Sequence, residues 1–203
     1  MHPLLALALA YASGSIPFAH IAGRAMGVDL RKQGSGNLGA TNVFRVLGWK
    51  IGLAVFLADA LKGALPVLLL PPRIDSPRDP VLWAIAAGVA AIAGHVRPIF
   101  LGFGKGGKGV ATAAGVFFAL APVPMMVSFV VFVAVVLGTG YVSLGSLVSA
   151  VLLPLMLLIT SGATAPLFLV SVAIAAFVFW THRPNIRRLR RGEEHRFGKR
   201  GRA

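Results

Sequence analysis

Residues 103–112, FGKGGKGVAT, set Lys105 and Lys108 among four glycines. Glycines let successive backbone N–H groups turn inward. A helix is expected to open at about Val110, and such a nest at a helix N-terminus attracts anions. From Gly102 the stretch approaches the nucleotide-binding pattern GxxxxGK[ST], but Gly109 stands where Ser or Thr must hold Mg²⁺. No strand precedes it and no acidic strand end follows, so a nucleotide hydrolase is excluded. An anion cradle using Lys105, Gly106, Gly107 and Lys108 remains. The plainer alternative is a tight turn whose lysines mark one face of a membrane.

Residues 34–45, GSGNLGATNVFR, interleave Ser35, Asn37, Thr41 and Asn42 with Gly34, Gly36 and Gly39. Arg45 follows Thr41 by four residues, one turn away if a helix begins there. Small polar groups beside an arginine fork suit a ligand that carries phosphate and hydroxyl groups. The alternative is a flexible loop in which Thr41 or Asn42 caps the next helix. Ser35 raises the question of a nucleophile. No Ser–His–acid grouping stands in the sequence, and a nucleophilic serine needs a base beside it; hydrogen bonding is its expected role.

The third polar segment is HRPNIRRLRRGEE, 182–194. His182 and Asn185 are three apart and share a face if the last helix continues past Thr181. Pro184 either sits in a helix's first turn or breaks one. The five arginines between Arg183 and Arg191 read as anchors to anionic lipid. His95 closes an apolar run, where histidine is commonly an interfacial or packing residue. Asp59 and Lys62, three apart in another apolar run, are expected to pair near the cytoplasmic end of their helix.

These segments hang between long apolar runs. Of 203 residues 57% are hydrophobic and 13% charged, and twenty bases face six acids for a net charge of +14. A soluble domain must leave roughly a third of its surface wet, which so apolar a chain cannot do comfortably. Runs of about 20 apolar residues mark membrane spans, with lipid as the natural partner. The absence of cysteine excludes disulfides and Cys-based metal sites. No metal site and no cofactor are expected. Bases also suit nucleic acid, but here they cluster at span ends and in the tail, which reads as membrane orientation.

Spans are expected at 4–25, 51–70, 81–101, across 110–137, at 141–160 and at 165–181. The first resembles a signal peptide, but its leading MHP lacks Lys and Arg and the apolar run continues past any cleavage point. A retained span is expected. Residues 110–137 are interrupted by Pro122 and Pro124. Read as one span, they would put the tail, with its nine Lys and Arg from His182 onward, outside. Read as two, 110–121 and 125–138, they put all three basic segments on the cytoplasmic side. The expectation is therefore all-α: a polytopic membrane bundle of seven transmembrane helices, N-terminus outside and C-terminus cytoplasmic. Residues 1–203 form a single domain with a basic tail at about 183–203. Trp49, Trp83 and Trp180 are expected at interfaces.

With the three polar segments in hand, the sequence resembles the bacterial integral-membrane acyl-phosphate:glycerol-3-phosphate acyltransferases of the PlsY type. The family motif SGNxGATNxxR is matched from Ser35 to Arg45. GHxxPxFLxF followed by KGGKGVAT is matched by residues 94–112, and HxxNIxRLxxGxE from His182 to Glu194. SIPFAH (15–20), DLRKQGSGN and LADALKG fit as well, so the resemblance covers nearly the whole chain. Two positions depart from the pattern. Gly104 is an insertion between Phe103 and Lys105, which bears on the reach of Lys105 more than on that of Lys108. Thr181 stands where an arginine commonly precedes the histidine.

The resemblance implies transfer of a fatty acyl group from acyl phosphate to the 1-hydroxyl of sn-glycerol 3-phosphate, giving lysophosphatidic acid and phosphate. This is the first acylation in phospholipid synthesis, and acyl-CoA is not the usual donor. It implies a bacterial inner-membrane protein with its active site on the cytoplasmic face; a monomer is compatible with it. Acyl phosphate is a mixed anhydride with a good leaving group, so direct transfer needs chiefly positioning and charge stabilisation. Ser35, Arg45 and Lys108 are expected to hold phosphate, assisted by the backbone at Gly106 and Gly107. Asn37, Thr41, His182 and Asn185 orient glycerol 3-phosphate, with His182 the candidate base. Asn42, His95 and Lys105 complete the expected binding set. A phosphate-solute transporter would place polar residues on both faces. A structural lipid-binding protein would leave 34–45 unexplained. An acyl-CoA enzyme of the H-x₄-D kind lacks its signature here.

Overall fold

The structure, a computed structural model, describes residues 1–76, 79–162 and 164–197. Pro77 and Arg78, between the second and third expected spans, and residues 198–203 of the expected tail lie outside the described residues. Among the described residues every regular element is helical, in keeping with the all-α expectation. The chain divides into two compact units, Met1–Pro122 and Val123–Ala203.

The first unit contains α1 (Pro3–Gly14), α2 (Phe18–Ala25), α3 (Ala40–Leu47), α4 (Trp49–Leu69), α5 (Pro80–Val96) and α6 (Val110–Leu120). The expected first span is broken: α1 stops at Gly14 and α2 restarts at Phe18. Pro17 has no N–H for the ladder and its ring excludes a continuous helix there. Pro3–Ala25 together still has the length and apolarity to cross a membrane.

α4 is the axis of this unit, packed against α6, α3, α5 and α1, while α1 packs along α5. Two glycines make the closest approaches possible. A Cβ on Gly14 would overlap the Ala91 carbonyl, and one on Gly115 the Ala60 carbonyl. Without a hydrophobic drive between helices in lipid, such small-residue contacts let backbones approach closely enough for dispersion to hold them.

The second unit holds α7 (Pro122–Thr139, whose first residue belongs to the first unit), α8 (Val142–Ser161), α9 (Pro166–Thr181) and α10 (Arg183–Arg191). Gly145 of α8 lies against Phe132 and Val136 of α7, and Ser149 Oγ donates to the Ser128 carbonyl at 2.8 Å. α9 packs on α8, and the chain bends 58° between α9 and α10.

Residues 110–138 do form two helices, as the prolines predicted, but the break lies at Ala121 rather than at 122–124. Both prolines fall in the first turn of α7, where a missing N–H costs nothing. Among the described residues five helices, or pairs in line, are long and apolar enough to cross a membrane, or six if the bent α9–α10 pair is one span. α6, with 11 residues, is shorter than a bilayer-spanning helix.

Candidate active site

The first polar loop folds around one side chain. Asn42 is 1% exposed. Its Nδ2 donates to the carbonyls of Leu30 (3.1 Å) and Gln33 (3.0 Å), and its Oδ1 accepts the Ser35 amide at 2.8 Å. Gly34 (φ 60°) and Gly36 (φ 69°) take left-handed conformations on either side of Ser35. A Cβ on Gly34 would strike the Asn42 amide, so glycine is required for the staple to close. Leu30 and Leu38, 2% and 5% exposed, pin the loop from below onto Ala19, Val43 and Val55.

The expected cap is displaced. Gly39 is the N-cap of α3, and Thr41 and Asn42 lie inside its first turn, because the Asn42 side chain is turned to the loop instead. Thr41 and Arg45 are one turn apart on α3, both half-buried. Ser35 is exposed, and half-buried Asn37 brings its Nδ2 over Gly39.

The glycine–lysine loop leaves α5 just beyond His95. The Phe103 amide donates to the Pro98 carbonyl (3.0 Å) and the Gly104 amide to the Leu101 carbonyl (3.1 Å), so Gly104 sits in a compact turn. Phe103 carries a positive φ of 58°, one of the rare non-glycine residues to do so. Gly106 donates its amide to the Val96 carbonyl at 3.0 Å. This corrects the expectation that the Gly106 N–H assists a phosphate: that hydrogen bond fastens the loop to α5.

Gly107 is the junction of the site. A Cβ there would collide with the His95 imidazole at Nε2 and come within 2.7 Å of the Leu38 carbonyl. One glycine therefore touches both the end of α5 and the Ser35 loop, and brings together two polar segments whose meeting residues, Leu38 and Gly107, are 69 positions apart. Lys105 is exposed and Lys108 half-buried, and α6 opens at Val110 as expected.

Beneath this junction lies a buried charge cluster. Lys62 Nζ is 2.7 Å from Asp59 Oδ1, and His95 Nδ1 is 3.7 Å from the same oxygen. The three residues are 4%, 2% and 4% exposed. The Asp59–Lys62 pair was anticipated, but at the cytoplasmic end of its helix; it occupies the middle of α4, between Trp49 and Leu69. Lys62 also donates to the Ile16 carbonyl at 2.7 Å, in the gap left by the α1–α2 break. Sequence reading missed two features. His95 is the third member of this cluster, a relation that 33 residues of separation hide. Thr112, fully buried in the first turn of α6, has a hydroxyl with no hydrogen-bond partner among the described residues.

In the second unit the third motif is organised by a residue that was not singled out, Glu194. It is 6% exposed. Its Oε1 accepts from Asn185 Nδ2 (2.7 Å) and Ser143 Oγ (3.0 Å), and its Oε2 accepts from Arg188 Nε (2.7 Å). Burial opposes its ionisation, but the Asn185, Arg188 and Ser143 hydrogen bonds and the Arg188 charge outweigh that, holding its pKa below the ordinary carboxylate value.

His182 and Asn185 do not share a straight helix. His182 sits at the bend, ending α9 and preceding α10, and Pro184 lies in the first turn of α10. His182 Nδ1 is 2.8 Å from the Val178 carbonyl, which can only accept, so Nδ1 carries the proton and Nε2 is the basic atom of the neutral ring. Thr181 donates its hydroxyl to Val178 within its own helix.

The chain matches the glycerol-3-phosphate acyltransferase family over residues 4–192. It is 47% identical over 198 residues to the glycerol-3-phosphate acyltransferase of Geobacter sulfurreducens, covering 97% of this chain and 98% of that one. The Geobacter metallireducens counterpart is 50% identical over 194 residues, covering 96% and 97%. In three dimensions the chain is similar to the crystal structure of PlsY (YgiH), an integral membrane glycerol 3-phosphate acyltransferase, in its glycerol 3-phosphate form. The TM-score is 0.87 at 42% identity, over 97% of this chain and 96% of that one. The lysophosphatidic acid form of that enzyme matches with a TM-score of 0.84 at 41% identity, over 97% and 95%.

Proposed function

The chain belongs to the glycerol-3-phosphate acyltransferase family, as an integral membrane protein of the PlsY type, and from that premise we propose that it moves a fatty acyl group from acyl phosphate to the 1-hydroxyl of sn-glycerol 3-phosphate. The glycerol oxygen attacks the acyl carbon, the acyl–phosphate bond breaks, and inorganic phosphate leaves with the electron pair. The hydroxyl proton passes to a base or to a phosphate oxygen. Lysophosphatidic acid is the acylated product.

The observation that carries this reading is the seating of Gly107 against both His95 and the Leu38 carbonyl. It joins the Ser35 loop to the glycine–lysine loop, so two anion-binding segments act as one surface. Ser35, Arg45 and Lys108 hold phosphate charge, and Gly107 supplies close backbone approach. Thr41 and Asn37 contact glycerol 3-phosphate, while Asn42 acts through the Ser35 backbone it holds. Lys105, exposed at the loop's edge, attracts the anions electrostatically. For His182 and Asn185 the support is the third motif: they orient the glycerol moiety, with His182 Nε2 the proposed proton acceptor. Direct transfer suits a mixed anhydride, and Ser35 is a hydrogen-bonding residue in this scheme.

We place the N-terminus outside and the polar loops and tail on the cytoplasmic face of a bacterial inner membrane, because the bases concentrate in those loops. Seven crossings follow if α6 spans by local thinning of the bilayer. The family match runs through both units without a break, which supports one acyltransferase domain.

The test is product formation by purified protein in detergent from palmitoyl phosphate, with and without sn-glycerol 3-phosphate, beside palmitoyl-CoA. Lysophosphatidic acid that requires both palmitoyl phosphate and glycerol 3-phosphate is expected. Product from palmitoyl-CoA alone as donor would overturn the donor assignment. An acyl-Ser35 adduct trapped from palmitoyl phosphate alone would overturn direct transfer.

A further inference from the structure

We infer that Asp59 is a positioning residue: from inside α4 it orients the His95 imidazole, and through that ring it sets the Gly107 turn of the glycine–lysine loop. The inference rests on the acyltransferase reading above. Asp59 Oδ1 faces Lys62 Nζ at 2.7 Å and His95 Nδ1 at 3.7 Å, and all three side chains are buried. Lys62 is satisfied twice over, by Asp59 and by the Ile16 carbonyl, and lies 5.6 Å from the Phe18 ring. Among the described residues His95 Nδ1 has no conventional hydrogen-bond partner, so the carboxylate is the charge that orients it. With Nδ1 drawn toward α4, Nε2 points the other way, into the space a Gly107 Cβ would fill. Lys108 is the next residue in the chain.

The order of contacts is thus the Ile16 carbonyl, Lys62, Asp59, His95, Gly107 and the Leu38 carbonyl. It runs from the break between α1 and α2 to both polar loops of the first unit. A packed interior does not deform continuously, so a rotation of the imidazole displaces Gly107. A buried ion pair is costly to keep in an apolar setting, and exchanging both partners for apolar residues is often neutral for stability. If the pair served stability alone, the apolar exchange would leave the enzyme intact. If Asp59 positions His95, the same exchange leaves a folded enzyme with a displaced loop.

The experiment compares Asp59→Leu/Lys62→Leu, Asp59→Glu, His95→Leu and the combination of His95→Leu with each. Thermal unfolding in detergent, kcat and KM with palmitoyl phosphate, and glycerol 3-phosphate binding by calorimetry are read for every variant. The double leucine variant is expected to melt close to wild type while KM for glycerol 3-phosphate rises roughly tenfold or more and kcat falls less. Asp59→Glu, which keeps the charge but moves it by one methylene, should show a smaller rise. In the His95→Leu background neither change should raise KM further, the signature of two residues acting in series.

Wild-type KM in the double leucine variant, or full additivity with His95→Leu, would overturn the inference. Should the double variant fail to fold, wild-type affinity in Asp59→Glu together with additivity would do the same. Wild-type protein run alongside separates the two readings. If it binds glycerol 3-phosphate but makes no product from palmitoyl phosphate, the donor reading falls while calorimetry still decides the role of Asp59.

Discussion

Asn185 Nδ2 donates to Glu194 Oε1 at 2.7 Å, across a span of nine residues that closes the C-terminal end of α10 back onto its first turn. The same carboxylate takes Arg188 on its other oxygen and Ser143 from α8, so two helices of the second unit, α8 and α10, meet at one charge. Replacing Glu194 by Gln should destabilise the protein by about 2 kcal/mol, the range for hydrogen bonds to a charged group. Activity should fall as well, because Asn185 loses its fixed orientation. Thermal unfolding and initial rates measured on the same preparation check both.

The same residue predicts a pH dependence. Its folded pKa is depressed, so its stabilisation is fully present above the ordinary glutamate value of 4.5 and is lost as pH falls through the lower folded value. The stability gap between wild type and Glu194→Gln, followed by unfolding in detergent, should be constant at neutral pH and shrink below pH 4.5. A gap unchanged down to the acid limit of the fold would refute the assignment.

Arg45→Lys keeps a positive charge but loses the planar fork, and Lys108→Ala removes its charge altogether. Each should lower kcat/KM at least roughly a hundredfold, since charge-assisted contacts to phosphate are worth on the order of 3 kcal/mol. Turnover near wild type for either variant would sink the central site assignment.

Two glycines of one loop should respond differently to alanine. Gly107→Ala pushes a methyl group into His95 and the Leu38 carbonyl, and should raise KM for glycerol 3-phosphate roughly tenfold or more. Gly102→Ala has open space but a left-handed φ of 60°, so it should cost about 1 kcal/mol of backbone strain and leave KM nearly unchanged. Steady-state kinetics beside thermal unfolding distinguishes the two modes.

Asn42→Ala removes three hydrogen bonds, one buried and two partly buried, from the buried Asn42 side chain to residues 30–35. At about 1 kcal/mol each, the loss should be about 3 kcal/mol, with faster proteolysis across residues 31–36 than in wild type. Resistance to cleavage equal to wild type would show that Leu30 and Leu38 hold the loop without the staple.

Local chemistry was legible in the sequence wherever the deciding contact lies within a turn or two. The apolar runs identify a membrane protein, because no other solvent accommodates them. Pro122 and Pro124 announce the separation of α6 from α7, and the i,i+3 spacing of Asp59 and Lys62 announces their pair. The three polar segments mark the positions proposed to bind anions, since residue type and spacing suggest that chemistry.

Only the tertiary structure decided how those positions are held. Whether Asn42 contacts a ligand or staples a loop depends on carbonyls nine and twelve residues upstream. The role of Gly106 depends on Val96, that of Gly107 on His95 and Leu38, and that of Glu194 on Ser143, 51 residues away. In each case one donor, one acceptor or one vacant Cβ position can serve several partners. Which partner it finds is set by the packing of α4, α5 and α6 in the first unit and of α8 and α10 in the second. Residue types therefore name the chemistry of this protein, while long-range packing selects which of the matching residues touch one another.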